Sequence, residues 1–221
     1  MKVVLLVLLA VLVVLVVLVV LVVLVVRKRT VVVASACSEM DDIVEFCTKN
    51  SLDLIVYDKC GKCEKSPEGV TCIQKANIGR EQETFLSFVV DNYENLPDNI
   101  LFAALPLSKY NRKERIQDMI DNDIVGCNGS IESDRDFQIG EWQGVAQHPA
   151  SVRPFKDWFE TYVAKWDDKH ACACWNGIMK TTKERILQKP KAFYSTLLEQ
   201  VSVHNSPEAG HFMERSMGVV F

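Results

Sequence analysis

The chain has 221 residues, 48% of them hydrophobic, and a formal net charge of −4. Of its 25 basic and 29 acidic residues only Lys2 precedes Arg27, and Arg27-Lys28-Arg29 is the one basic tract. This balance excludes nucleic acid as a partner, because that binding rests on neutralising phosphates, and the chain beyond Val26 is long enough for one full core.

Val3 to Val26 is an unbroken run of Val and Leu with one Ala. As a helix it would span about 36 Å, against a hydrocarbon core of ~30 Å, and its insertion is favourable by about 7–14 kcal/mol. The expectation is one transmembrane helix that holds the chain in the lipid bilayer through residues 3–26, with residues 1–29 as the anchor and its basic flank. Ala34-Ser35-Ala36 spells a signal-cleavage site. The apolar run is nevertheless too long for a signal core, and Arg27-Lys28-Arg29 stands where the approach to a cleavage site is uncharged. Those cations lean towards a cytosolic domain. Eight cysteines and the sequon Asn128-Gly129-Ser130 suit a secretory lumen instead. The expected place is the Golgi or endoplasmic reticulum membrane, with the C-terminal domain in the lumen.

Residues 30–221 read as a single α/β domain. Thr30 to Ala36 is an apolar, β-branched strand, and Ser38 caps a helix to about Asn50 with Asp41 and Asp42 in its first turn. Leu52 to Tyr57 is a second strand, followed by a cysteine-bearing turn from Asp58 to Gly69. Glu81 to Asn95 is an amphipathic helix, Ile100 to Leu105 a third strand, and Asn111 with Glu114 caps a helix to about Ile120. Strand and helix alternate as in a Rossmann-like, mostly parallel sheet with flanking helices. About 121–150 the pattern lapses into an irregular loop. Helical signals return at Val152–Ala164, at Thr181–Gln188 with a capping box on Thr181 and Glu184, at Lys191–Val203 and at Glu208–Phe221.

Cys60, Cys63, Cys72, Cys127, Cys172 and Cys174 fit two or more structural disulfides, a zinc site or free thiols, and spacing does not give the connectivity. His148, His170, His204 and His211 form no ligand pair at metal spacing. Asn77-Ile78-Gly79-Arg80-Glu81 heads the long helix, where N–H groups and the dipole favour an anion. Arg80 adds a planar donor fork there, unless it pairs with an acid such as Glu83. On the last helix His211, Glu214 and Arg215 share a face, able to supply a metal ligand, a charged clamp or a plain salt bridge.

The segments VVVASACSEMDDIVEF, LIVYDKC, NIGREQETFLSFVVDNYENLPDNILF, NGIMKTTKERILQKPKAFYSTLLEQ and GHFMERSMGVVF, in this order, resemble the eukaryotic family known as domain of unknown function 3431. The family's layout is similar to that of nucleotide-sugar glycosyltransferases of the A type. The resemblance implies a glycosyltransferase-A-like fold, with Asp58 beside the nucleoside of the donor, Arg80 beside its diphosphate, and a manganese or magnesium ion held by an Asp-x-Asp after the third strand. This chain departs from that pattern. Its third strand ends in Ala103-Ala104-Leu105-Pro106, Asp134-Arg135-Asp136 comes about thirty residues late, and Met217 stands where the family tends to carry Trp.

The reading that follows is a membrane-anchored glycosyltransferase-like protein that moves a sugar from a nucleotide donor to a glycan or protein acceptor. Asp58, Asn77, Gly79, Arg80, Glu81 and Arg215 would bind the donor, and His211 and Glu214 would lie at the reaction centre. The alternative is a lumenal binding module that kept the fold without catalysis.

Overall fold

A computed structural model describes residues 12–15, 30–38, 40–66, 70–127, 134–167 and 173–221. The expected anchor lies outside these residues except for Leu12–Leu15, which are helical and exposed. Among the described residues no helix is long and apolar enough to cross a membrane. The sequon Asn128-Gly129-Ser130, His170 and Cys172 also lie outside them.

Five strands form the sheet: β1 (Thr30–Ala36), β2 (Asp53–Asp58), β3 (Thr71–Gln74), β4 (Asn99–Ala104) and, after a two-stranded hairpin of β5 (Glu141–Trp142) and β6 (Val145–Ala146), β7 (Ile178–Thr182). Their order is β3-β2-β1-β4-β7. β1 pairs parallel with β2 and β4 and β2 with β3, whereas β7 runs antiparallel to β4. In β1, successive side chains point to opposite faces, and both faces are covered. Val31 and Val33 enter one core, Val32 and Ala34 the other. This accounts for an unbroken apolar strand where a half-exposed one would alternate.

The helices divide accordingly. Ile43 and Phe46 of α1 (Asp41–Lys49) pack with Val32 and Ala34, beside Ile116 and Met119 of α3 (Arg112–Asp121). The other face is larger. Phe85 and Phe88 of α2 (Arg80–Asn92) meet Phe102 of β4, at 4.7 Å between ring centroids for Phe85. Around them lie Trp158 of α4 (Phe155–Tyr162), Tyr194 of α6 (Lys191–Val201) and Phe212 of α7 (Glu208–Val220). α5 is a single turn, Lys183–Ile186.

Several local expectations change. Met40, not Ser38, is the N-cap of α1, and it makes no side-chain cap bond. Asn111 precedes α3 in a left-handed conformation, again without a cap bond. Thr181–Gln188 divides into the end of β7 and the turn α5, with Thr182 as the cap that accepts from Arg185 N. A β-branched Thr181-Thr182 beside a buried sheet edge packs better as strand than as helix. β3 is short and mostly exposed, so it carries no apolar pattern. In the expected loop, β5 and β6 turn through Gln143 and Gly144, both at positive φ, the backbone of a tight hairpin turn.

Described residues of that loop from Asp134 onward are tied to α7. The Glu208 carboxylate is fully buried. It accepts from Ile139 N at 2.7 Å and Ala150 N at 2.9 Å, and meets Arg153 Nε at 2.8 Å and Nη2 at 3.0 Å. Three disulfides add cross-links: Cys37–Cys60, Cys63–Cys72 and Cys127–Cys174. Cys47 is a buried free thiol.

Two measurements follow. Alkylation of denatured, unreduced protein labels at most two of the eight cysteines, Cys47 and Cys172; labelling of four or more contradicts the pairing. Glu208→Ala strips a buried ion pair of its acid and costs about 3 kcal/mol of stability by denaturant titration. Amide exchange between Ile139 and Ala150 accelerates with it.

Candidate functional site

In an open parallel sheet, ligands bind beyond the carboxyl ends of the strands where the chain's winding reverses. Here that point lies between β1 and β4, the two strands from which the chain proceeds in opposite directions. α2 starts beside it, and Thr84 Oγ1 donates to Ser35 Oγ of β1 at 3.1 Å.

The start of α2 is held tightly. Gly79 has φ +65°, and a Cβ there would lie 2.5 Å from both Glu83 Cβ and the Val201 carbonyl oxygen. Only glycine fits, because φ and space both exclude a side chain. Lys59 Nζ donates to the carbonyls of Ile78 and Arg80. The same ammonium lies 2.8 Å from Glu83 Oε2, and Lys75 Nζ lies 2.7 Å from Glu83 Oε1, to which Ser87 Oγ also donates. Burial works against the charged carboxylate, but the bonds from Lys59 and Lys75 outweigh it and hold Glu83 below the usual range. With Glu83 satisfied in this way, Arg80 is not its partner. The Arg80 guanidinium instead brings Nη1 to 3.3 Å from His211 Nε2.

Arg80 and His211 border a cleft of about 300 Å³. α2 contributes Arg80 and Glu81, α3 and the residues before it Arg112 and Tyr110, the hairpin Trp142 and Gln143, and α7 His211, Glu214 and Arg215; Phe137, Trp175 and Asn176 complete the wall. Trp175 and Asn176 are placed by the chain that enters β7. A Cβ on Gly177 would lie 2.8 Å from Ala104 Cβ and 3.0 Å from Glu81 Cγ, so this glycine lets β4, α2 and that segment meet. Asn176 N donates to Glu214 Oε1 at 3.0 Å, and its carbonyl accepts from Arg112 Nε at 2.9 Å. Arg112 Nη1 donates to the Pro106 carbonyl at 3.0 Å. Arg215 lies 3.5 Å above the Phe137 ring and 5.0 Å from the Trp175 ring, a stacking geometry suited to a guanidinium. Its Nε donates to Asp134 Oδ2 at 2.9 Å and its Nη1 to the His211 carbonyl at 3.2 Å.

Two titratable groups shift in opposite directions. Burial, with Arg80 and Arg215 nearby, lowers His211 to about 4, so the imidazole is neutral near pH 7. Burial, with Glu81 nearby, raises Glu214 to about 7 against the bond from Asn176 and the two arginines. Paired environments that drive titrations apart are how a fold places an acid and a base in one site. Gln147 orients the imidazole. Its Nε2 donates to the Val145 carbonyl and its Oε1 accepts from Ser206 Oγ, which presents Oε1 to His211 Nε2 at 3.2 Å. His211 Nε2 therefore donates to Gln147 in one tautomer and accepts from Arg80 in the other.

Of the residues expected at a site, the structure brings Arg80, Glu81, His211, Glu214 and Arg215 together. Gly79 stands behind them and shapes the helix start. Asn77 is exposed and does not line the cleft. Asp58 is buried elsewhere: its carboxylate accepts from the backbone N–H groups of Cys60, Lys62 and Cys63 and closes the cysteine-bearing turn. Asp134, the first acid of the late Asp-x-Asp spelling, is the partner of Arg215. Sequence reasoning missed Arg112, Tyr110, Trp142, Trp175 and Asn176. Arg112 alone left a signal, a cation in a helix first turn where the dipole disfavours it.

One group among the described residues has ligand atoms close enough for a metal ion: Asp58, Cys63 and Cys72, all within 4.8 Å. Cys63 and Cys72 are joined in a disulfide, and a metal needs the thiolate, so this group fits an ion only after reduction. The cleft fits a divalent cation poorly as well. Its lining holds two carboxylates against three guanidiniums, and β4 brings no acid to it.

Scans against protein-family models, curated proteins and solved structures return no match for this chain. Its fold and cleft define the class: a mixed α/β protein with a mostly parallel five-stranded sheet and an arginine-rich, aromatic-walled cleft at the sheet's switch point.

The two shifted groups give stability a pH dependence of opposite sign. Folded Glu214 titrates near 7, above its ordinary 4.5, so the unfolded chain releases that proton first and stability falls as pH rises through this window. Folded His211 titrates near 4, below its ordinary 6.5, so stability falls as pH drops through that window. Relative to wild type, Glu214→Gln should gain stability from about pH 5 to about pH 7, and His211→Asn from about pH 6 down to about pH 4. Each change is on the order of 2 kcal/mol, read from melting curves at stepped pH.

Proposed function

We propose that the cleft binds a nucleotide sugar and that the chain is a membrane-anchored glycosyltransferase-like protein with a glycan or protein acceptor. The observation that carries this reading is the ion pairing of Glu83 with both Lys59 and Lys75. It leaves the Arg80 fork directed at a cleft that also holds Arg112 and Arg215. A guanidinium fork matches the oxygens of a diphosphate. Trp142 and Trp175 offer flat apolar faces to a base or sugar ring. Glu214 and His211 are poised to exchange a proton with an acceptor hydroxyl. Three disulfides fit an oxidising compartment, in keeping with a domain in the Golgi or endoplasmic reticulum lumen.

A second reading, a binding module without catalysis, is favoured by one observation: β4 ends in Ala103-Ala104 and brings no acid to the cleft.

Thermal shift of the protein with a panel of nucleotide sugars separates these readings. At ligand a hundredfold above its dissociation constant, stabilisation is about 2.7 kcal/mol. Arg80→Ala should abolish it while moving the unliganded melting temperature little, and Arg80→Lys should restore it in part. Stabilisation without sugar transfer to any acceptor leaves the binding module. A wild type that no nucleotide sugar stabilises overturns the donor-site assignment, and the binding-module reading takes its place.

A further inference from the structure

In the proposed reaction the leaving group is a nucleoside diphosphate, whose negative charge must be matched in the site. Where a divalent cation does this, carboxylates surround the ion. This cleft is built the other way. β4 ends in Ala103-Ala104 and adds no acid to the lining, Asp134 is engaged by Arg215, and Oε1 of Glu214 is engaged by Asn176 N. Facing them are three guanidiniums. Arg112 and Arg215 are only 7% and 8% exposed. Each is braced through Nε and Nη1, Arg112 by the carbonyls of Asn176 and Pro106, and Arg215 by Asp134 and the His211 carbonyl. Among the described residues the Nη2 of each has no protein acceptor, though both side chains line the cleft.

We propose that the cleft binds a diphosphate without a divalent cation, with Arg80, Arg112 and Arg215 as its counter-charge. The inference rests on the nucleotide-sugar reading above. A cation entering the cleft would meet three guanidiniums, of which Arg215 is already paired with Asp134, and a diphosphate would meet donors already fixed in direction. Preorganisation matters here, because a fork braced by backbone loses little freedom when the anion arrives. Glu81 lies close enough to Arg112 to temper its charge. Glu214 adds little negative charge as long as it holds its proton.

The test is calorimetric titration of the full-length chain in detergent with uridine diphosphate and, separately, inorganic pyrophosphate. Each is measured once in excess EDTA and once with excess manganese. Equal affinity in the two conditions, within about threefold, is expected. Arg80→Gln, whose side chain braces no backbone, should weaken both ligands about tenfold or more. Arg112→Lys, which keeps the charge and loses the fork, should weaken them in the same direction. Binding that needs manganese overturns the proposal and leaves the donor reading standing. Binding in EDTA that neither arginine variant weakens overturns it too, since the counter-charge then lies elsewhere. A chain that binds neither ligand in either condition fails both the proposal and the donor reading.

Discussion

The buried carboxylate of Glu83 decides what the rest of the candidate site can be. It sits in the first turn of α2, where the helix dipole favours an acid, and two ammonium groups converge on it from the chain after β2 and the chain after β3. A carboxylate that far from water is tolerable only when paired and hydrogen-bonded, and here Lys59, Lys75 and Ser87 supply both. Lys59 also holds the carbonyls of Ile78 and Arg80. One knot thus ties the exposed edge of the sheet to α2 and fixes where the helix begins. Because it consumes the nearest acid, it also leaves the Arg80 guanidinium to the cleft.

The last helix performs the matching task on the other wall. α7 is buried on nearly all sides, so its polar residues must find partners in the segments packed over it. Glu208 collects two backbone N–H groups and Arg153, Arg215 takes Asp134 and the Phe137 ring, and His211 takes Gln147. Residues 134–150, which carry no periodic pattern, are held in this way by contacts to a helix some sixty or more residues away in sequence. The hairpin that carries Trp142 belongs to the same stretch, which couples the shape of the cleft to the burial of Glu208.

The parts of this architecture that rest on local periodicity were legible beforehand. The parallel core of β1, β2 and β4 and the helices α2, α6 and α7 read directly from apolar spacing. β7 was not, because Thr181 and Glu184 spell a helix cap while the residues before them are recruited to the edge of β4. β3 was not, since a short exposed strand has nothing to alternate against. At the site, the residues clustered within one motif or one helix turn were found: Arg80 and Glu81, then His211, Glu214 and Arg215. Those contributed by loops were missed, because Trp142, Trp175 and Asn176 are brought in by a hairpin, a disulfide-bound segment and two glycines at positive φ. Asp58 shows the opposite failure. The resemblance implies a nucleoside contact for Asp58, but three backbone N–H groups occupy its oxygens.

What distinguishes the cleft from an ordinary polar surface is how its arginines are held. In a fold arranged for stability alone, a nearly buried guanidinium is matched by a carboxylate. Glu83 and Glu208 are matched in this manner by their cations. Arg112 instead rests on two backbone carbonyls, which orient it without cancelling its charge. Arg215 is paired through Nε with Asp134 and rests besides on another carbonyl and on an aromatic face. The bracing of Arg112 leaves positive charge facing a space bordered by a neutral imidazole and by Glu214, which titrates near 7. Uncancelled charge in a sheltered site costs stability, and functional sites are where folds retain such local conflicts. The stable pairs at Glu83 and Glu208 hold the two walls of the cleft, and the incompletely paired arginines lie between them.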